Sequence, residues 1–153
     1  MPGLRLVCGS KAGICFLAVL LYCLFAAAGC TDNEPDDMEI VAESEPNDSL
    51  VQAAGIPVGV TVLGAVNQVD DPSDFFFFSV LVSGSYTITL GGFGPSDLDL
   101  LLYDRNGFLL ARAATDGASR VIDRFLDDDV EYVIEVRAVD APSTTAYTLR
   151  IDG

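Results

Sequence analysis

From Val60 to the C-terminus the chain alternates apolar and polar residues in short runs, with the period of two that marks half-buried strands. Breaks rich in Gly, Pro, Asp and Ser interrupt it about every ten residues. The pattern predicts strands at 60–66, 75–82, 85–91, 97–104, 108–114, 119–126, 130–139 and 145–151. Asn106-Gly107 marks a tight hairpin, because a two-residue turn needs positive φ. Phe76, Phe78 and Val80 share one face, as do Leu98, Leu100 and Leu102, then Tyr132, Ile134 and Val136, and Tyr147, Leu149 and Ile151. The intervening Asp97, Asp99, Glu131, Glu135, Arg137, Thr148 and Arg150 suit solvent. Phe75 and Phe77 should point outward, beneath a loop or in an exposed patch. Strands without a convincing helix predict an all-β protein, an antiparallel, eight-stranded, jelly-roll-like β-sandwich. The apolar stretch Leu50 to Ile56 forms a helical turn or lies across one end.

Ahead of the strands the pattern changes in kind. Arg5 and Lys11 accompany an apolar run from Ala12 to Ala28, which ends Ala26-Ala27-Ala28-Gly29-Cys30. These are the parts of a secretory signal, and the run is short for a bilayer span, which takes ~20 residues. The ending resembles a bacterial lipobox, whose Cys is acylated on cleavage, although Ala27 stands where Leu is commonest. Ordinary cleavage after the alanines and an uncleaved anchor helix are the competing readings. Residues 31–42 are mostly acidic and polar, as befits a flexible tether. The organisation expected is a lipoprotein signal peptide at 1–29, an acidic tether at 30–42 and one folded domain at 43–153.

Processing would sharpen the composition. All four cysteines (Cys8, Cys15, Cys23 and Cys30) lie in the signal or at its end, so the mature chain has no disulfide to staple it. Six Arg would remain against 23 acidic residues, a net charge of −17, with no Lys and no His. Such a surface repels nucleic acid and anionic headgroups and favours cations or basic partners. It also lacks the usual general bases and activated nucleophiles, so the chain reads as no enzyme. The pair Asp97 and Asp99 keeps a carboxylate-dependent hydrolase open as a lesser alternative, although abundant acids make such pairs cheap.

The densest chemistry is Glu43-Ser44-Glu45-Pro46-Asn47-Asp48-Ser49, with Asp70, Asp71 and Asp74 downstream. Carboxylate and amide oxygens packed into a short turn are what calcium wants, since it takes six to eight oxygen ligands at ~2.3–2.6 Å. Without a cation, converging carboxylates would repel one another and their pKa values would rise. The competing reading has Asn47-Asp48-Ser49 capping a helical turn while the acids are solvated.

Several signals in order resemble a known family: Glu45-Pro46-Asn47-Asp48-Ser49, Asp71-x-x-Asp74-x-Phe76-x-Phe78, Asp97-Leu98-Asp99-Leu100, Leu102-Tyr103-Asp104-x-x-Gly107, Tyr132-x-Ile134-x-Val136, and Tyr147-x-Leu149-x-Ile151. Together they resemble the bacterial pre-peptidase C-terminal domain, a relative of the collagen-binding domains of clostridial collagenases, from about Glu43 to Asp152. The resemblance implies a jelly-roll sandwich that binds calcium through Glu43, Glu45, Asn47, Asp48, Asp71 and Asp74. Asp127-Asp128-Asp129-Val130 departs from the family, which often has Gly before the seventh strand. The expectation is a non-catalytic, calcium-stabilised binding or adhesion module of the bacterial cell envelope, monomeric and held to the bilayer through acylated Cys30. Its partner would be an extracellular protein, a polysaccharide or an envelope component. An accessory or chaperone-like role towards a secreted hydrolase is the alternative. Thr31 does not resemble the aspartate signal for inner-membrane retention, which points to the outer membrane or cell surface.

Overall fold

The computed structural model describes residues 38–94, 96–114 and 117–153. The signal at 1–29, Cys30 and the tether as far as residue 37 lie outside the described residues.

Ten strands alternate in direction between the two ends of the body. They are β1 (Ile40–Ala42), β2 (Ala54–Gly55), β3 (Thr61–Val66), β4 (Ser73–Ser79), β5 (Gly84–Gly91), β6 (Asp97–Asp104), β7 (Leu109–Ala113), β8 (Arg120–Leu126), β9 (Glu131–Asp140) and β10 (Thr145–Asp152). One sheet has the order β1-β3-β10-β5-β8 and the other β2-β4-β9-β6-β7. The registers put the starts of β4, β6, β8 and β10 at one end, here the upper, and those of β1, β3, β5, β7 and β9 at the lower.

The eight strands read from the alternation are β3 to β10. The sheets are nonetheless mixed rather than wholly antiparallel, and the strand count is ten. β1 pairs in parallel with β3, and β2 in parallel with β4. Both are too short to show an alternation. β1 also falls within residues 30–42, so folded structure begins at Ile40, before the boundary expected at 43. The stretch from Leu50 makes a turn closed by Gln52 N–H donating to the Ser49 carbonyl, then enters β2.

The predicted apolar faces meet between the sheets, where Phe76, Leu98, Leu100, Leu102, Ile134, Val136, Leu149 and Ile151 are fully buried. Each such side chain contributes ~1.5–3 kcal/mol relative to exposure. Phe77 does face outward, lying over Gly55, where a side chain would meet its ring at 2.9 Å. The Gly expected before β9 is dispensable because Asp129 itself adopts φ of 58°, a conformation that Asp tolerates better than most residues.

Two acids assigned to solvent are buried instead. Asp99 accepts from Arg112 at 2.5 Å, and Glu135 is gripped by Arg137 (2.7 Å), Tyr103 (2.7 Å) and Ser73 (2.9 Å). Burial alone would raise the Glu135 pKa, but these bonds outweigh it and hold it below the usual range. Burial and the Glu135 acceptor together push Tyr103 up to about 12.

Asp97 and Asp99 do not form a pair. A register shift between Asp97 and Leu98 breaks the alternation. Asp97 is thereby bonded to Arg120 of the opposite sheet at 2.6 Å. Arg120 is buried over the Phe93 ring and also donates to the Gly117 and Ser119 carbonyls, fastening the sheets together at the upper end. Replacing Arg120→Ala leaves these acceptors without a donor and opens a cavity, so stability should fall by about 2–4 kcal/mol. Asp97→Asn should cost about 1 kcal/mol or less, because Asp97 is partly solvated. Urea midpoints of the two variants test this ordering, and equal losses would refute it.

Candidate metal centre

β1 delivers Glu43 to the upper end, where its N–H donates to the Leu63 carbonyl. From there the chain runs through Pro46 to Asn47, whose carbonyl accepts from the Phe75 N–H at 2.8 Å. That bond sets the segment against the start of β4, which carries Asp74. The loop between β3 and β4 is closed by Asn67 N–H donating to the Asp71 carbonyl at 2.8 Å, and it brings Asp71 to the same place.

All six residues expected as ligands therefore converge, but in two groups. Ligand atoms of Glu43, Glu45 and Asp74 lie within 4.8 Å of one another, and so do those of Glu45, Asp48 and Asp71. Glu45 belongs to both. Asp71 and Asp74 also act on each other, so the two groups are continuous around Glu45. Asp70 stays out of the cluster, in a turn where its N–H donates to Asn67 Oδ1.

In the inner group the fully buried Asp74 and the half-buried Glu43 share one hydroxyl, with Glu45 exposed beside them. Tyr147 OH lies 2.5 Å from Asp74 Oδ2 and 3.0 Å from Glu43 Oε2, yet it has one proton to give. Ala65 N–H fixes the other Glu43 oxygen at 2.8 Å. The Asn47 side chain is buried against the same carboxylates. With its nitrogen towards them it donates to Asp74 Oδ1 and Glu45 Oε2, both at 3.1 Å. With its oxygen turned that way, the site is an all-oxygen shell that only a cation relieves.

Titration follows from this geometry. Burial is the largest cause that raises Asp74, and Glu43 and Asp71 add to it against the Tyr147 hydrogen bond, so it reaches about 9. Burial, then Glu45 and Asp48, push Asp71 up to about 6. Tyr147 is driven far above its ordinary value by burial and by Asp74 beside it. One oxygen, Asp71 Oδ1, is buried with no hydrogen-bond partner. A carboxylate oxygen without a donor is what a cation would satisfy.

Sequence reasoning missed two members of the site. Tyr147 reads only as a core position, and its role depends on the register that sets it opposite Gly64. Gly64 is the space that admits it: a Cβ there would lie 2.3 Å from the Tyr147 hydroxyl and 2.5 Å from Glu43 Oε2. A glycine inside a strand pattern is the signal that marks such close approaches.

No family model matches the chain. Collagenase ColA of Clostridium perfringens (strain 13 / Type A) is 28% identical over 123 residues, covering 78% of this chain but 11% of the collagenase. The chain thus spans about a tenth of that relative's length. Among solved structures, the pre-peptidase C-terminal domain of a collagenase from Bacillus anthracis superposes with a TM-score of 0.58 at 16% identity, covering 71% of this chain and 99% of that one. Yersinia pseudotuberculosis-derived mitogen superposes more loosely, with a TM-score of 0.45 at 13% identity, covering 59% of this chain and 80% of that one. In fold the described body is a β-sandwich of the kind seen in that pre-peptidase C-terminal domain.

Proposed function

We propose that the chain is an exported, lipid-anchored binding module of the cell envelope, stabilised by calcium held at Glu43, Glu45, Asn47, Asp48, Asp71 and Asp74. One contrast carries the metal reading. Every ion pair among the described residues uses one of Arg112, Arg120, Arg137 and Arg150, and none of them reaches this cluster. The buried acids Asp99 and Glu135 each have their own guanidinium; the cluster gathers five carboxylates around the fully buried Asp74 and has no guanidinium of its own. A hard divalent ion supplies that charge and matches the oxygen-only donor set, with Glu45 bridging two neighbouring positions.

The binding role rests on the likeness to a collagenase and to the pre-peptidase C-terminal domain of another. Catalysis by Asp97 and Asp99 is disfavoured because each is committed to a different arginine. The partner we propose is an extracellular protein. Capture of the lipid-anchored chain on immobilised fibrillar protein, and its loss on chelation, test this. Retention on polysaccharide alone, or co-purification with a secreted hydrolase, would refute that partner.

Calcium at about a hundred times its Kd should stabilise the domain by ~2.7 kcal/mol. For a body of this size that raises Tm by about 10–20 °C. Melting residues 31–153 with calcium and with chelator measures it, and Glu45→Ala or Asp74→Ala should abolish the difference. Coincident curves, with no calcium uptake by calorimetry, would end the metal reading.

The metal-free protein should also titrate in a telling direction. Asp74 and Asp71 have folded pKa values above their unfolded ones, so the folded state holds protons that the unfolded chain releases. Metal-free stability should therefore fall as pH rises from about 4 to about 9. Saturating calcium should remove that slope, and Asp74→Asn should flatten most of it. Urea titrations across this range decide; stability that rises with pH would contradict the assignment.

A further inference from the structure

The two ends of the sandwich differ in chemistry. The metal cluster and the Arg120–Asp97 pair occupy the upper end. The lower end carries exposed apolar side chains on three separate segments. Leu81 (94% exposed) and Val82 (69%) form the turn from β4 to β5. Phe108 (69%) and Leu109 close the turn from β6 to β7, which the pairing of Asp104 with Tyr132 places at this same end. Met38 and Ile40, also exposed, bring the chain in there, because β1 runs parallel to β3 from its first residue.

We propose that this lower end docks on the bilayer that holds the N-terminus, with the tips Leu81-Val82 and Phe108-Leu109 entering the interfacial layer. The proposal rests on the reading of Cys30 as the lipid-bearing residue. Only residues 31–37 separate Cys30 from Met38. Fully extended, that stretch reaches no more than about 25 Å. The tether therefore delivers the apolar end, and not the metal end, to the membrane. At so short a reach the effective concentration of bilayer is high, and modest apolar burial suffices. The lipid must be zwitterionic, since Asp104, Asp127, Asp128, Asp129, Glu131 and Asp152 ring the same end, with Arg105, Arg124 and Arg150 as the cations near it and Arg150 already paired with Asp152. A second copy of the chain is the competing occupant.

The test uses the full chain, produced in a lipoprotein-processing bacterium and reconstituted into phosphatidylcholine vesicles. Leu81→Cys, Phe108→Cys and Val121→Cys each receive an environment-sensitive fluorophore, Val121 serving as a control towards the upper end. Labels at 81 and 108 should be blue-shifted and quenched by dithionite about tenfold more slowly than the label at 121. Adding phosphatidylglycerol, or introducing Leu81→Asp beside the label at 108, should reduce that protection. These positions are exposed, so the variants should fold. Equal quenching at all three sites on protein that floats with the vesicles would overturn docking and leave anchoring intact. Protection that persists in detergent would assign the surface to a second copy and overturn docking too. Failure to float at all would sink both the anchoring and this proposal.

Discussion

Asp74 is fully buried at the start of β4, with Glu43 across one tyrosine hydroxyl and Glu45 and Asn47 alongside. Burying a carboxylate is tolerable when a guanidinium or several donors neutralise it, and costly when more carboxylates are its neighbours. The upper end of this sandwich is built around the second case. The N-terminal segment, the loop from β3 to β4 and the first residues of β4 all depend on how that charge is resolved. A proton on Asp74 resolves it partially and only below about pH 9. A divalent cation resolves it at any pH at which the carboxylates ionise. It would tie together three stretches that are distant in sequence, and the described residues contain no Cys to do so.

The placement of arginines separates structural acids from candidate ligands. Glu135 is buried almost as fully as Asp74, yet its pKa is low, because Arg137, Tyr103 and Ser73 all donate to it. Asp99 is likewise paired, and Asp97 joins the sheets through Arg120. Six arginines lie among the described residues, and no ion pair there spends one on the cluster. Burial alone therefore does not make an acid a site; burial without a resident cation does.

The eight long strands were legible because a period of two survives in any segment long enough to alternate. β1 and β2 were not, since three residues and two carry no period. The six clustered oxygen donors were legible as residue types in a turn and a loop, but their division into two groups was not. That division depends on how the loop packs against the segment. Tyr147 was hidden for the same reason: it meets Glu43 across 104 positions, through a register and a glycine that alternation does not report. Asp99 and Glu135 were assigned to solvent because strand parity says which face a residue takes, not what covers it.

The position of β1 alters what a cation would accomplish. Were the cluster the point where a loose tether meets the body, the ion would hold only a terminus in place. Instead the chain enters at the lower end, pairs with β3 through Ile40–Ala42, and only then reaches Glu43. A cation at Glu43 would therefore clamp the far end of an edge strand whose near end is where the chain enters. Tension applied ahead of Ile40 would have to strip β1 from β3 before it reached Glu43. An ion there would sit where it can stop the unzipping of that edge, since Glu43 is hydrogen-bonded to β3 through both its backbone and its side chain. Were a divalent cation held there, its loss would first loosen the N-terminal edge, and leave the core of Phe76, Leu100, Ile134 and Leu149 packed as before.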